Sequence, residues 1–181
     1  TNALIERKGA RTGLITTRGF RDALEIGREG RYDIYDLQLE LPQPLVERRH
    51  RFEVNERVNP DGSVRIPIEQ DSVEETCRLI EEAELDAVGV CFLHAYANPE
   101  HEVLVRKQVQ ERFPDCAISV SSEVAPELRE FERTSTTVAN AYVQPMVERY
   151  LSSLEVGLEE LGVLAPLHIM LSNGGSCTTE T

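Results

Sequence analysis

SVEETCRLIEEAELDAVGVCFLHAYANPEHEVLVRKQVQERFPDCAISV (residues 72–120) decides the fold class. Ser72-x-x-Glu75 has the form of a capping box. Val73, Cys77, Ile80 and Ala83 then fall on one helical face. Residues 87–93 (AVGVCFL) are a continuous apolar run, the pattern of a strand covered on both faces. Asn98 and Pro99 suit the N-cap and first position of a second helix. Glu100 and Glu102 fall in its first turn, where the helix dipole favours carboxylates. That helix ends at Phe113-Pro114, and residues 116–120 are the next strand. Strands alternating with helices imply parallel pairing through right-handed crossovers.

Upstream, residues 1–8 are expected to form a helix stopped by Gly9 in a left-handed conformation. Residues 12–16 (TGLIT) form a short strand. Residues 17–30 carry Arg21/Glu25 and Glu25/Arg28 at helical spacing, compatible with a short helix or a structured loop. Residues 48–58 alternate like a strand, and Asn59-Pro60-Asp61-Gly62 is a turn signal leading to a return strand at 63–68. A hairpin with one polar face is expected. Downstream, residues 134–161 form a long helix with an apolar stripe of Val147, Leu151, Leu154, Leu158 and Leu161. Pro145 should kink or split it, and Gly162 ends it. Residues 167–171 (LHIML) are the last strand.

The chain has 181 residues, enough for one domain or one and part of a second. Nineteen Lys and Arg against 32 Asp and Glu give a net charge of −13. That balance excludes a general nucleic-acid binder, which needs a basic face, and disfavours an anionic membrane surface. No apolar run reaches membrane-spanning length. The N-terminal TNALIERKGA does not read as a signal peptide. A start on Thr1 and an end in SNGGSCTTET mark an expected fragment of a longer chain. Cys77, Cys91, Cys116 and Cys177 are widely spaced with no C-x-x-C pair, so a reduced, cytoplasmic protein is expected.

In open parallel sheets, ligands collect at the carboxyl ends of the strands. That rule selects residues 94–98 (HAYAN), 121–123 (SSE) and 172–175 (SNGG), which share one edge if the sheet is continuous. Asn98 also reads simply as a helix cap, His94 as a hydrogen-bonded strand-end histidine, and Tyr96 as a roof over the core. His94 and His101 have no recognised metal spacing. Gly174 and Gly175 would let backbone amides approach an anion, although N-G-G is also a common turn. Arg18, Arg21, Arg28 and Arg31 form a basic cluster, either an anion site or a solvated face paired with Asp22, Glu25 and Glu29. Residues 47–51 (ERRHR) read as a solvated edge strand. No G-x-S-x-G, P-loop or G-x-G-x-x-G occurs.

Five blocks carry a family resemblance. TNALIERKG (1–9) and TTRGFRD with LEIGR (16–28) are two. Phe92-Leu93-His94, Tyr96, Asn98-Pro99 and His101-Glu102 form the third. EFERTSTT with Asn140-Ala141-Tyr142 and SNGG (172–175) complete the set. In this order they resemble the hydantoinase/oxoprolinase family, which includes hydantoin utilisation protein A, 5-oxoprolinase and the acetone carboxylase beta subunit. Tyr32 and Leu171 stand where that family frequently has Pro and Gln.

The resemblance implies an α/β lobe of the actin-like ATPase (ribonuclease H-like) type. It would have a mixed sheet, a β-hairpin and βαβ units, plus the start of a second lobe. Residues 1–130 would be the C-terminal part of the family's N-terminal domain, and 131–181 the start of the hydantoinase A domain. The strand at 167–171 would then belong to a different sheet.

The implied activity is ATP-dependent hydrolysis of a cyclic amide (hydantoin, N-methylhydantoin or 5-oxoproline). Phosphoryl transfer to the amide oxygen turns a resonance-stabilised carbonyl into an activated imidate. ATP and Mg²⁺ are implied for the full-length parent. Both phosphate loops would lie outside residues 1–181, so the isolated piece is expected to be inactive. By the same resemblance, Arg21, Asp22, Arg28, His94 and Tyr96 are candidates for substrate binding. Arg133, Thr134, Asn140, Ser172, Asn173, Gly174 and Gly175 are candidates for nucleotide binding or the inter-lobe cleft. A B-type hydantoinase subunit or domain is the implied partner, in a hetero- or homo-oligomer. Three alternatives are a non-catalytic lobe that docks this partner, the ATP-dependent carboxylase branch and a sugar-kinase-like phosphotransferase.

Overall fold

A computed structural model describes residues 2–28, 38, 42–163, 165–171 and 174–178. Expectations for Glu29, Arg31, Tyr32, Ser172 and Asn173 fall outside these residues. The chain divides into two units, Thr1–Pro145 and Met146–Thr181.

In the first unit the elements are α1 (Asn2–Ile5), β1 (Thr12–Thr17), α2 (Ala23–Ile26), a 3₁₀ turn (Arg48–His50), β2 (Arg51–Val54), β3 (Arg57–Val58) and β4 (Val64–Ile66). They continue through α3 (Gln70–Glu82), β5 (Ala87–Cys91), α4 (Glu100–Arg112), β6 (Ala117–Val120) and α5 (Ser121–Val124) into α6 (Glu130–Glu160). The main sheet has strand order β2-β1-β5-β6, and every neighbouring pair is parallel. Ile15 is in register with Phe52 on one side and Val90 on the other, and Val88 with Ile118. Among the described residues, antiparallel pairing is confined to separate hairpins, β3–β4 in this unit.

All residues of β1 and β5 are buried. These central strands are covered on both faces, which is why their sequence runs apolar rather than alternating. Ile15, Val88 and Val90 join Val73, Cys77, Ile80, Val105 and Val109, so α3 and α4 cover that face. The alternate side chains of the same strands, Leu14 and Cys91, pack with Val46 and Val138 on the other. Gly89 allows α6 to approach closely; a Cβ there would lie 3.5 Å from Thr137 Cγ2 and 3.6 Å from Val138 Cα.

Several expectations are revised. Gly9 is not the left-handed stop: α1 is a single turn and Arg7 takes the positive φ of 53°. Gly9 instead lies against Tyr142, whose ring would sit 2.1 Å from a Cβ. The Ser72/Glu75 capping box is not formed, because α3 begins two residues earlier. Ser72 Oγ donates to Glu69 O at 2.7 Å and accepts from Asn55 N at 3.1 Å, which anchors the helix to the end of β2. The strand expected over 48–58 is broken into a 3₁₀ turn, β2 and β3. Arg51 is not solvated: its guanidinium donates to Val46 O and pairs with Glu25 at 3.0 Å. The start of α4 lies one residue later than expected, with Pro99 at the N-cap, and Asn98 Oδ1 accepts from Glu100 N at 3.0 Å just outside it. Helix α6 begins at Glu130 rather than Thr134 and passes through Pro145, where the division into units falls.

The second unit contains the rest of α6 and an antiparallel pair, β7 (His168–Met170) with β8 (Ser176–Thr178). Of the expected stripe, Val147 and Leu161 are exposed. Among the described residues, strand β7 pairs with β8 in a separate two-stranded sheet. The three strand-end segments therefore do not share one continuous sheet edge. This is the separate-sheet arrangement that the family resemblance implied.

Candidate functional site

At the carboxyl ends of β1, β5 and β6, buried polar side chains converge from four directions. Glu102, on the first turn of α4, is fully buried. Its Oε1 accepts from Phe92 N at 2.9 Å and from Ser121 Oγ at 2.5 Å, and its Oε2 from Ser122 N at 2.8 Å. One carboxylate thus ties the chain leaving β5 to the chain leaving β6. Burial pushes this carboxyl above the usual carboxylate range, and the three donated hydrogen bonds oppose that shift.

Arg133 on α6 is 1% exposed. Its Nη1 donates to Phe92 O at 2.7 Å and to Ser121 Oγ at 3.0 Å. Ser121 is therefore the relay between a buried guanidinium and a buried carboxylate. The Tyr96 ring covers one guanidinium face, with Cζ 5.7 Å from its centroid. His94 adopts φ 58°, and its Nδ1 lies 3.3 Å from the Tyr96 hydroxyl.

A second buried set adjoins the first through consecutive residues. His101 Nδ1 lies 2.7 Å from Glu56 Oε2. Thr17 Oγ1 donates to Glu56 Oε1 and accepts from Leu93 N at 2.9 Å. The dipeptide His101-Glu102 thus clamps the ends of β1, β5 and β6 to the start of one helix.

A cavity of about 10 Å³, room for a single water, lies beside these groups, lined by Thr16, Phe20, Cys91, Glu130, Arg133 and Thr134 among others. Thr16 Oγ1 donates to Cys91 O at 2.9 Å, and Thr134 Oγ1 to Cys91 Sγ at 3.2 Å. Burial raises the Cys91 thiol pKa, so it behaves as a packing residue rather than a nucleophile.

The structure brings Arg133, Thr134, Tyr96 and His94 together at this strand-end site. Asp22 accepts two hydrogen bonds from Arg48, at 2.8 and 3.0 Å, which hold its carboxyl below the usual range. The Arg21 carbonyl faces Arg51 Nη1 at 3.5 Å. Arg28 pairs with Glu132 at 2.7 Å and so joins the segment after α2 to the start of α6. Asn140 lies away from the pocket and donates to Ser119 Oγ at 3.0 Å. Gly174 and Gly175 lie in the β7–β8 turn of the second unit, with Gly174 at φ 86°.

Glu102, Glu56, His101 and Thr17 carry no site role in the sequence reading. The strand-end rule did select the segment containing Ser121. Glu102 reads there as a first-turn carboxylate, His101 as a histidine without a metal spacing, and the pair as the end of a family block. Among the described residues no group of three or more His, Cys, Asp and Glu is placed to hold a metal. No role toward Mg²⁺ is therefore assigned to them. No helix among them is long and apolar enough to cross a membrane.

A family model described as the hydantoinase/oxoprolinase N-terminal region matches residues 1–113, and one described as hydantoinase/oxoprolinase matches residues 133–181. The chain belongs to the hydantoinase/oxoprolinase family. Within this family it is 36% identical to caprolactamase subunit alpha of Pseudomonas jessenii, over 96% of the chain and 25% of that protein. The crystal structure of ATP-dependent caprolactamase from the same organism superposes with a TM-score of 0.91. It is 35% identical, over 98% of this chain and 26% of that one. The 5-oxoprolinase of Saccharomyces cerevisiae is 30% identical, over 97% of the chain and 15% of its own length. A nucleotide-free acetone carboxylase structure matches with a TM-score of 0.87 at 28% identity, over 99% and 27% of the two chains. The chain thus spans about a quarter or less of these relatives. The α/β lobe with a parallel central sheet, expected from the sequence, is the fold they share with it.

Proposed function

We propose that the protein carrying this chain is an ATP-dependent hydrolase of cyclic amides such as hydantoin, N-methylhydantoin or 5-oxoproline. The observation that carries this reading is the superposition on an ATP-dependent caprolactamase over nearly the whole chain. ATP, when bound, supplies the phosphoryl group that makes the amide oxygen a leaving group.

In this reading the chain's own residues build and brace one wall of the site. Glu102 and Ser121 fix the ends of β5 and β6, and Arg133 is held over the strand end by Phe92 O and Ser121. Such preorganised donors stabilise developing negative charge without reorganising. His94 and Tyr96 line the substrate side. Arg28 couples the segment after α2 to α6, and Arg21 and Asp22 belong to the same substrate-proximal segment. Thr134 contributes to the nucleotide side. Asn140 and residues 172–175 retain a proposed role there. Residues 1–130 complete the N-terminal domain in this scheme, and 131–181 begin the next. A partner subunit of B type, an oligomeric assembly and a cytoplasmic setting complete the reading. It is supported by the subunit designation of the caprolactamase relative and by four free cysteines.

The carboxylase branch is a second reading, favoured by the acetone carboxylase match. Assaying the full-length protein with ATP and either a cyclic amide or a ketone plus bicarbonate separates the two. Ring-opened amino acid with ADP supports the first, and a carboxylated ketone the second.

A further inference from the structure

Arg133 carries its positive charge into the interior, at 1% exposure. Its Nη1 is satisfied by Phe92 O and Ser121 Oγ. Its Nε is buried and has no partner among the described residues. A buried donor without an acceptor is costly, and native structures leave few. The guanidinium cannot turn cheaply to find one, because Nη1 is held by two acceptors and the Tyr96 ring covers one face.

Arg133 lines a space of about 10 Å³ together with Thr16, Phe20, Cys91, Glu130 and Thr134. That is room for one water and nothing larger. The polar groups around it are unevenly matched. Thr16 Oγ1 donates its hydrogen to Cys91 O at 2.9 Å, and Thr134 Oγ1 donates its own to Cys91 Sγ at 3.2 Å. Both hydroxyls are left as acceptors. Glu130 is an acceptor too. Among the described residues its carboxylate has neither a hydrogen bond nor an ion pair, and the neighbouring Arg129 faces Glu132 at 3.7 Å instead. Around this space stand one donor, the Nε–H of Arg133, and several acceptors. Direct contact between Glu130 and Arg133 would satisfy both, and they do not make it.

We infer that a single internal water bridges Arg133 Nε to the Glu130 carboxylate, and that Glu130 is thereby a positioning residue for the buried guanidinium. The water accepts from Nε–H. It donates one hydrogen to a Glu130 oxygen and the other to the hydroxyl of Thr16 or Thr134. Three hydrogen bonds are the usual complement of an internal water. This arrangement gives Nε its acceptor and the carboxylate its donor with no movement of the protein. It also extends the brace at the strand ends. Glu102 reaches Arg133 through Ser121 on one side, and Glu130 reaches it through the water on another. The buried cation is held between two carboxylates, neither in direct contact with it. The bridge is made by the chain's own side chains and holds whichever reaction the parent protein catalyses.

The test is a crystal structure of the full-length protein, at a resolution that shows ordered water, for the wild type, E130Q and E130M. In the wild type one water peak should lie within about 2.7–3.2 Å of both Arg133 Nε and a Glu130 oxygen. E130Q keeps an acceptor oxygen and should keep the peak. E130M has similar bulk and no such acceptor, and should lose it. Thermal unfolding of the same proteins is the solution counterpart: E130Q should melt close to the wild type and E130M below it, since Nε is then unsatisfied. A direct Glu130–Arg133 contact in the wild type overturns the inference, as does a protein group in the space or no density there. A peak that persists in E130M, or an E130M that melts with E130Q, overturns the role given to Glu130.

Discussion

Ser121 Oγ donates to Glu102 Oε1 at 2.5 Å while accepting from Arg133 Nη1 at 3.0 Å. A hydroxyl that donates once and accepts once is the smallest group that can join a buried acid to a buried base without direct contact. Its position on the first residue after β6 explains how the strand end, α4 and α6 hold one geometry.

Replacing Glu102 by Gln leaves one of its three donors facing an amide NH₂. The expected cost is about 1–3 kcal/mol in denaturant unfolding at pH 7. A pH signature accompanies it. Burial raises the folded-state pKa of Glu102, so the native state binds more protons than the unfolded state just above the ordinary carboxylate range. Stability from this group therefore falls as pH rises from the unfolded value through the raised one. Unfolding series from pH 4 to 8 should show that this decline is weaker in E102Q.

His101→Ala strips the buried Glu56 carboxylate of its nearest polar partner after Thr17. An uncompensated buried charge costs about 3–5 kcal/mol. The double variant H101A/E56Q should recover part of that loss in chemical denaturation. Equal stability of the single and double variants would show that the two side chains are not coupled.

Gly9→Ala places a methyl group where the Tyr142 ring already sits. Overpacking of this kind costs about 1–3 kcal/mol. Shortening the partner in G9A/Y142L should relieve it, seen as a higher Tm than G9A alone.

Thiol reactivity should separate the cysteines. Cys77, Cys91 and Cys116 are buried, and burial pushes Cys116 up to about 11. Cys177 is half-exposed. Titration of the native protein with an aromatic disulfide at pH 8 should label Cys177 first, and peptide mapping identifies the site. The other three should react only on unfolding.

The βαβ core was legible because buried parallel strands and amphipathic helices have distinct local patterns. The runs at 87–93 and 116–120 correspond to β5 and β6, and Asn98-Pro99 marks the start of α4 to within one residue. The brace at the strand ends was not legible. Glu102 in a first turn satisfies a local electrostatic rule, which hides that it reaches across ten residues to Phe92 N and nineteen to Ser121. Glu56 and His101 are 45 residues apart, and no local spacing joins them. Arg51 shows the same limit from the other side. A charged residue in a charged run looks solvated until a carbonyl such as Val46 O is found to receive it. Gly9 escapes a local reading for a related reason, since its partner Tyr142 is remote in sequence.

The path of one oxygen atom tests the central claim. The full-length protein, with its partner subunit where one is required, is supplied with ATP and a cyclic amide labelled with ¹⁸O at the carbonyl. If the amide oxygen accepts the phosphoryl group and water then attacks carbon, the label leaves in inorganic phosphate as ADP and ring-opened product accumulate together. Ring opening with all of the label retained in the product carboxylate, or without ADP formation, would contradict the account.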